Sequence, residues 1–234
     1  MTGHADPPAA HPAFIHYPAQ AGFGRTLPKN KLYAHSQAGA RLKALFVRQV
    51  EQIVWQYKLA PETINLPARP GVPEIQVFAI HLKARELHFD VLRAIDQAVQ
   101  FPIVFELVHA GHTQVVACHK RPSVADASRW VLSDYFATAW LPPATPRAAM
   151  PMALHLGGLY EQVLRALLPL PARPHEALVE QVARLGDIAV KQRDVDKAAA
   201  QLARTTQFNR KLAVNAGLRR LQAELDALRG PPGA

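Results

Sequence analysis

The chain has 234 residues, 49% of them hydrophobic and 19% charged, which excludes disorder over most of its length. Its 27 Lys and Arg residues against 18 Asp and Glu give a formal net charge of +9, which favours polyanionic partners such as nucleic acid. The single cysteine, Cys118, allows no internal disulfide and fits a reducing compartment, so we expect a cytoplasmic protein. Neither a signal peptide nor an apolar run of about 20 residues is present, so no membrane association is expected.

The N-terminal part of the chain predicts an arm followed by a long helix. Residues 1–22 are rich in Pro, Ala and His, and we predict that they form a flexible arm. An apolar stripe at helical spacing then predicts a helix from Gln37 to Leu59. Pro61 ends this helix because its ring lacks an N–H donor and clashes with the preceding turn.

The next stretch predicts the strands of a sheet. Residues 74–83 are apolar in both phases of a strand, which is typical of a central strand covered on both faces. A helix near residues 88–99, a hairpin that turns at Ala110-Gly111 and a strand over residues 129–141 follow. Because strands and helices do not alternate strictly, residues 23–141 predict an α+β core with a mixed or mostly antiparallel sheet.

The C-terminal region, residues 152–228, is predicted to be entirely helical, with residues 229–234 as a tail. A short helix covers residues 152–168. From residue 175 onwards the apolar spacing fits either one long helix, coiled-coil-like, or a helical hairpin broken near Thr205 and Thr206.

Signatures of catalysis and metal binding are scarce. The stretches AGFG and LGGL lack the lysine and the spacing of a phosphate-binding loop, and no Gly-x-Ser-x-Gly elbow occurs. His109, His112, Cys118 and His119 are residue types that bind zinc. Neighbouring residues on a strand point to opposite faces, so these four side chains do not converge. We therefore assign no catalytic residue, no metal and no cofactor.

A metal-dependent nuclease with an atypical site stays open as an alternative. Glu51, Glu74, Lys83 and Glu106 supply the residue types of a restriction-type nuclease. However, Glu74 and Lys83 lie at opposite ends of one predicted strand, roughly 30 Å apart at about 3.3 Å per residue. The plainer interpretation is ordinary charges at strand ends, with Glu106 in a salt bridge.

Two stretches of the chain contain basic residues and no acidic ones, namely residues 7–50 and 197–220. Such stretches are either phosphate-contacting surfaces or solvated helix faces. The residues that we predict to contact phosphate are Lys29, Lys31, Arg41, Arg48, Arg204, Arg210, Lys211, Arg219 and Arg220.

Two further features indicate a surface that binds a partner. Trp55 falls outside the apolar stripe of the predicted first helix and shares its face with Arg41 and Arg48. That position suits an interface, or a face that the arm or the C-terminal helices cover. Leucines at helical spacing predict a seam for a partner or for self-association, formed by Leu212, Leu218, Leu221, Leu225 and Leu228.

Five phrases of the sequence occur together in a characteristic order: LPKNKLYAH, FVRQVEQIVWQYKLAPETINLP, EIQVFAIHLK, VLRAIDQAVQFPIVFEL and TQFNRKLAVNAGLRRLQAELDAL. From about Leu27 to Leu228 the chain thereby resembles the domain-of-unknown-function 4391 family of bacteria, archaea and phages. The segment IDQAVQFP departs from the family form, in which a proline usually follows the alanine and an aliphatic residue, but this departure affects a loop.

The resemblance implies a gene neighbourhood beside superfamily 2 helicases and DNA methyltransferases, in restriction-like or defence clusters, and it transfers no catalytic residue. We therefore expect a non-enzymatic accessory subunit of a restriction-like or phage-defence system. We expect it to contact DNA, a helicase or a methyltransferase. Besides the nuclease, a purely protein-binding scaffold or inhibitor is the remaining alternative.

Overall fold

The structure is a computed structural model that describes residues 9–30, 32, 39–123, 125–126 and 129–230. The chain divides after Leu168 into two units. The first unit contains β1 (His11–His16), β2 (Gly22–Thr26), α1 (Ala40–Gln49), β3 (Val50–Leu59), α2 (Pro61–Ile64), β4 (Ile75–Leu82), α3 (Phe89–Ala98), β5 (Ile103–His109), β6 (His112–Pro122), β7 (Trp130–Ala137), β8 (Arg147–Ala149) and α4 (Leu156–Arg165). The second unit contains α5 (Leu178–Arg204) and α6 (Phe208–Arg229).

A six-stranded sheet in the order β2-β3-β4-β5-β6-β7 organises the first unit. The pair β4 and β5 is parallel, and the other neighbouring pairs are antiparallel. A parallel pair needs a crossover connection, and α3 provides it between β4 and β5. The predicted α+β fold with a mixed, mostly antiparallel sheet is confirmed. None of the helices among the described residues is both long and apolar enough to cross a membrane.

The predicted helix from Gln37 to Leu59 is wrong in its second half. Residues 37 and 38 lie outside the described residues, α1 ends at Gln49, and β3 begins at Val50. The second half is rich in β-branched and aromatic residues, which fit a strand as well as a helix pattern. The backbone of this segment pairs with β2 on one side and β4 on the other, and these hydrogen bonds override the helical periodicity.

The main core lies between one face of the sheet and the helices α1 and α3. The helices contribute buried side chains such as Phe46, Leu92 and Ile95, and the strands contribute Phe78 and Phe105. Phe78 and Phe105 meet edge to face, with ring centroids 6.3 Å apart. Such tilted aromatic pairs add specific contact energy to the burial of apolar area.

The segment from residue 9 to residue 22 does not match the flexible arm that its composition predicts. β1 pairs in parallel with β8, and Ala13 and Ile15 are fully buried. Arg147 holds this ribbon, because it donates to the carbonyl of Ile15 at 2.8 Å and to both carboxylate oxygens of Glu106 at 2.7 Å. The salt bridge predicted for Glu106 is therefore present. Residues 1–8 of the predicted arm lie outside the described residues.

Helix α4 belongs to the first unit and not to the C-terminal helical region of residues 152–228 in which the sequence placed it. The reason is Tyr160, a buried residue of α4. Its hydroxyl donates to the carbonyl of Cys118 at 2.7 Å and accepts from the amide of Lys120 at 2.9 Å. Both partners lie on β6, so α4 is attached to the sheet.

A buried ion pair stabilises the end of α3. The ammonium of Lys120 donates to the carbonyls of Asp96 and Val99 and lies 3.6 Å from the Asp96 carboxylate. The Tyr135 hydroxyl also donates to that carboxylate, at 2.6 Å. Burial raises the pKa of Asp96 to about 6 and lowers the pKa of Lys120. The ammonium thus neutralises a buried carboxylate and the negative end of a helix dipole together.

The second unit is a helical hairpin, one of the two arrangements that the sequence left open. Val195 of α5 and Leu218 and Leu225 of α6 are buried together. At the base, Arg184 pairs with Glu176 at 2.7 Å and donates to the carbonyl of Leu228, near the end of α6. The start of α5 therefore lies beside the end of α6, and the two helices are antiparallel.

Replacing Lys120 by Met is expected to lower the free energy of unfolding of the first unit by about 3–5 kcal/mol. The change leaves a buried carboxylate and two helix-end carbonyls without a cation. Urea denaturation followed by tryptophan fluorescence measures the effect, since all three Trp residues (Trp55, Trp130 and Trp140) lie in this unit. The double variant Lys120→Met, Asp96→Asn should recover part of the loss. A loss below about 1 kcal/mol in the single variant would show that the pair contributes little.

The hairpin should lose stability as the pH falls through the range in which Glu176 titrates. The hydrogen bond from Arg184 lowers the pKa of Glu176 to about 2, so the unfolded chain takes up this proton near pH 4.5 and the folded chain only near pH 2. The melting-temperature difference between the protein and its Glu176→Gln variant, measured by circular dichroism, should be largest above pH 5 and vanish near pH 2. A melting-temperature difference that stays the same from pH 5 down to pH 2 would contradict this prediction.

Candidate nucleic-acid interface

The hairpin turn brings part of the second acid-free stretch together. α5 ends at Arg204, and α6 begins at Phe208. The Thr205 hydroxyl donates back to the carbonyl of Gln201 at 2.8 Å, which closes the last turn of α5. Because the connection has only three residues, the last turns of α5 and the first turn of α6 form one surface.

A concave surface at this turn, which we call the basic concavity, is lined by polar and cationic side chains. Its lining residues are Lys197, Ala200, Gln201, Arg204, Thr205, Thr206, Gln207 and Arg210. The hairpin's ion pairs join Glu176 to Arg184 and Glu224 to Lys191 and Arg220. Within the part of the chain that the structure describes, none of them reaches the turn, so its cations are available to an anionic ligand.

A second concave surface, which we call the apolar groove, is lined by Leu202, Phe208, Lys211, Leu212 and Asn215. Phe208 is 72% exposed and Leu212 is 55% exposed. A phenylalanine so exposed beside an exposed leucine is uncommon on a surface that only solvent covers. Phe208 is not among the residues predicted from the sequence to bind a partner or phosphate. The sequence feature that could have identified Phe208 is an aromatic residue directly after a helix break, inside a stretch without acidic residues.

The predicted phosphate contacts of the second stretch separate into two groups. Arg204, Arg210 and Lys211 lie at the turn, and Lys197, which was not among the predicted contacts, joins them. Arg219 and Arg220 lie about 14 Å beyond Arg210 along α6, at about 1.5 Å per residue. Arg220 is also 3.9 Å from Glu224. The turn is therefore the part of this stretch in which cations concentrate.

The predicted contacts of the first stretch do not gather at one place. Lys29 donates to the carbonyl of Val50, and burial lowers its pKa. Arg41 and Arg48 are exposed, two turns apart on α1. Lys31 lies outside the described residues. Of these four residues, Arg41 and Arg48 form the exposed pair.

Trp55 contacts its own chain, although the sequence also allowed a partner-binding role. It lies on β3, not on a helix, and is half-buried. Its indole N–H donates to the carbonyl of Tyr57 at 3.0 Å. Its ring centroid lies 4.1 Å from that of Phe23 and 6.1 Å from that of Phe78. The sequence placed Trp55 on a charged helix face only because it predicted a helix where the structure has a strand.

The leucine seam is mostly internal to the hairpin. Leu218 and Leu225 are buried against α5, and Leu221 is partly buried beside them. Leu228 is half-buried, and its carbonyl accepts from Arg184. Leu212 stays exposed at the turn. The apolar spacing marks the contact between α5 and α6, because an amphipathic helix buries its stripe against the nearest apolar neighbour.

Two of the candidate nuclease carboxylates are bound by other side chains of this protein, and the third is exposed. Glu106 is bound to Arg147. Glu74 accepts from Gln76 at 2.6 Å and lies 3.4 Å from Lys58. Glu51 is exposed.

Two of the residues whose types could bind zinc contact different partners. Cys118 is buried and donates to Asp96 at 3.6 Å. His109 contacts the carbonyl of Leu82. No group of three or more His, Cys, Asp or Glu residues suited to a metal is found among the described residues.

These features define an α+β protein with a C-terminal helical hairpin whose turn is basic and partly apolar. The chain belongs to the family described as Domain of unknown function (DUF4391), whose model matches residues 15–225. The resemblance read from the sequence is thereby confirmed. A search of curated proteins and a search of solved structures each returned no match.

Proposed function

We propose that the protein is a nucleic-acid-binding accessory subunit whose hairpin turn contacts phosphate groups. The observation that carries this proposal is the group of four cations at the turn, Lys197, Arg204, Arg210 and Lys211, in a stretch without acidic residues. Lys and Arg that neutralise phosphates release condensed counterions, which is the main source of sequence-independent affinity.

The charges of the whole chain support the same proposal. Several cations inside the protein are already neutralised, as Lys120 is by Asp96 and Arg147 by Glu106. The formal net charge of +9 must then reside largely in exposed side chains. A positive field of this kind accelerates the encounter with a polyanion and is screened by salt.

The biological setting is proposed from the family resemblance alone. The protein would act in the cytoplasm as part of a restriction-like or phage-defence system, beside a helicase or a DNA methyltransferase. In that role it would supply contacts to DNA, and the chemistry would belong to the partner. Self-association through the exposed Leu212 is a further part of this proposal.

Replacing Arg204 and Arg210 by Gln is expected to weaken DNA binding and to flatten its salt dependence. For duplex DNA each lost phosphate contact removes about 0.9 from the slope of log K against log salt, so the double variant should lose about 1.8. Fluorescence anisotropy of a labelled duplex, titrated between about 50 and 200 mM salt, measures both quantities.

The matched control is Arg193→Gln, Arg229→Gln, which removes the same charge from the hairpin away from the turn. Arg193 is exposed, and Arg229 donates to the Gln192 side chain. The control should keep the slope of the unmodified protein. An equal decrease in both double variants would mean that net charge, and not the turn, determines binding. Arg41→Gln, Arg48→Gln measures whether the exposed pair on α1 adds contacts.

The same titration with Mg²⁺ present distinguishes the alternatives. Cleavage of the DNA, lost in Glu106→Ala or Glu51→Ala, would support the nuclease. Absence of binding even at the lowest salt would contradict the proposed function and leave the protein-binding scaffold.

A further inference from the structure

The apolar groove contains a cation of its own. Lys211 follows Phe208 by three residues, so both side chains lie on one face of α6 and line the same groove. Arg210 follows Phe208 by two residues and lines the basic concavity, on another face of the helix. Phosphate contact explains Lys211 and gives no reason for the exposed ring of Phe208.

The chemistry of the apolar groove fits a nucleobase. Leu202 and Leu212 offer aliphatic contacts, and the exposed ring of Phe208 offers a flat face. The Asn215 amide carries donors and an acceptor, which match the polar edge of a base. Stacking of bases on aromatic side chains beside a cationic track is how proteins bind single strands with little sequence preference.

We propose that the turn binds an unpaired nucleotide of a single strand, with the base stacked on Phe208 and a backbone phosphate at Lys211. In a duplex the two faces of each base are covered by its neighbours, so Phe208 finds a face only where the strand is open. Charge complementarity selects this occupant over an apolar peptide, because the groove carries Lys211 and belongs to a stretch of the chain without acidic residues. This inference rests on the proposed function and names the form of nucleic acid that the turn prefers.

The experiment compares one DNA sequence of about a dozen nucleotides as a single strand and as a duplex, with 2-aminopurine at a central position. The unmodified full-length protein should bind the single strand more tightly and change its 2-aminopurine fluorescence. Phe208→Ala should weaken single-strand binding about 5- to 150-fold, the fold-change equivalent to the usual energy of one stacked base. The same variant should leave duplex binding almost unchanged.

Two matched variants separate stacking from other effects. Phe208→Trp keeps a flat aromatic face and should retain single-strand binding and the fluorescence change. Phe208→Leu keeps an apolar side chain without a ring and should behave like Phe208→Ala. Val190→Ala removes an apolar side chain that is 50% exposed elsewhere on α5 and should have no effect.

The outcomes distinguish this inference from the proposed function. If Arg204→Gln, Arg210→Gln weakens binding while Phe208→Ala does not, the turn binds phosphate but the stacking inference is overturned. If single strand and duplex bind equally, the inference is also overturned. If Phe208→Ala leaves DNA binding intact and changes the sedimentation coefficient, the groove is a protein interface. If no form of DNA binds at low salt, the proposed function fails as well.

Discussion

The hydrogen bonding of β3 between β2 and β4 is the constraint on which the first unit depends. The antiparallel pairing of Val50 with Leu82 and of Leu59 with Ile75 aligns β3 along the whole of β4. With this register, Ile53 faces the same core as Phe78 and Ile80. A shift by one residue would turn every side chain of β3 to the other face. The main core, and the helices that cover it, therefore require this register.

Three cations attach neighbouring elements by a common arrangement, in which one cationic side chain binds a carboxylate and one or more main-chain carbonyls. Lys120 binds Asp96 and the carbonyls at the end of α3. Arg147 binds Glu106 and the carbonyl of Ile15 in β1. Arg184 binds Glu176 and the carbonyl of Leu228 in α6. Each cation neutralises the charge of a carboxylate. It also donates a hydrogen bond to a main-chain carbonyl of another segment, which would otherwise lack that donor.

The neutralised cations of the interior contrast with those of the hairpin turn. Lys197, Arg204 and Arg210 surround a concavity that no ion pair of the described hairpin reaches. Phe208 and Leu212 lie in the apolar groove at the same turn and are exposed. Natural proteins tend to cover or pair such groups unless a ligand does so. The described residues of the turn thus leave both charge and apolar surface uncovered, and both proposals concern the turn for that reason.

The local sequence was sufficient to predict several secondary-structure elements and the candidate site of this protein. Local patterns predicted several elements: the apolar run of residues 75–82 a strand, the turn at Ala110-Gly111 a hairpin, and the apolar spacing of residues 178–228 helix. The acid-free stretch around Arg204 predicted the candidate site, since charge can be read directly from the sequence.

Only the tertiary structure decided the rest. The segment from Val50 to Leu59 satisfies helical spacing and strand propensity alike, and pairing with its neighbours selects the strand. The periodicity of the leucine seam predicts which face of α6 is apolar. That this face is covered by α5, and not by a partner, depends on the antiparallel packing of the two helices. Phe208 becomes part of the site because the turn gathers it with Leu202 and Lys211 in one groove, and such proximity between helices cannot be read from spacing along one chain.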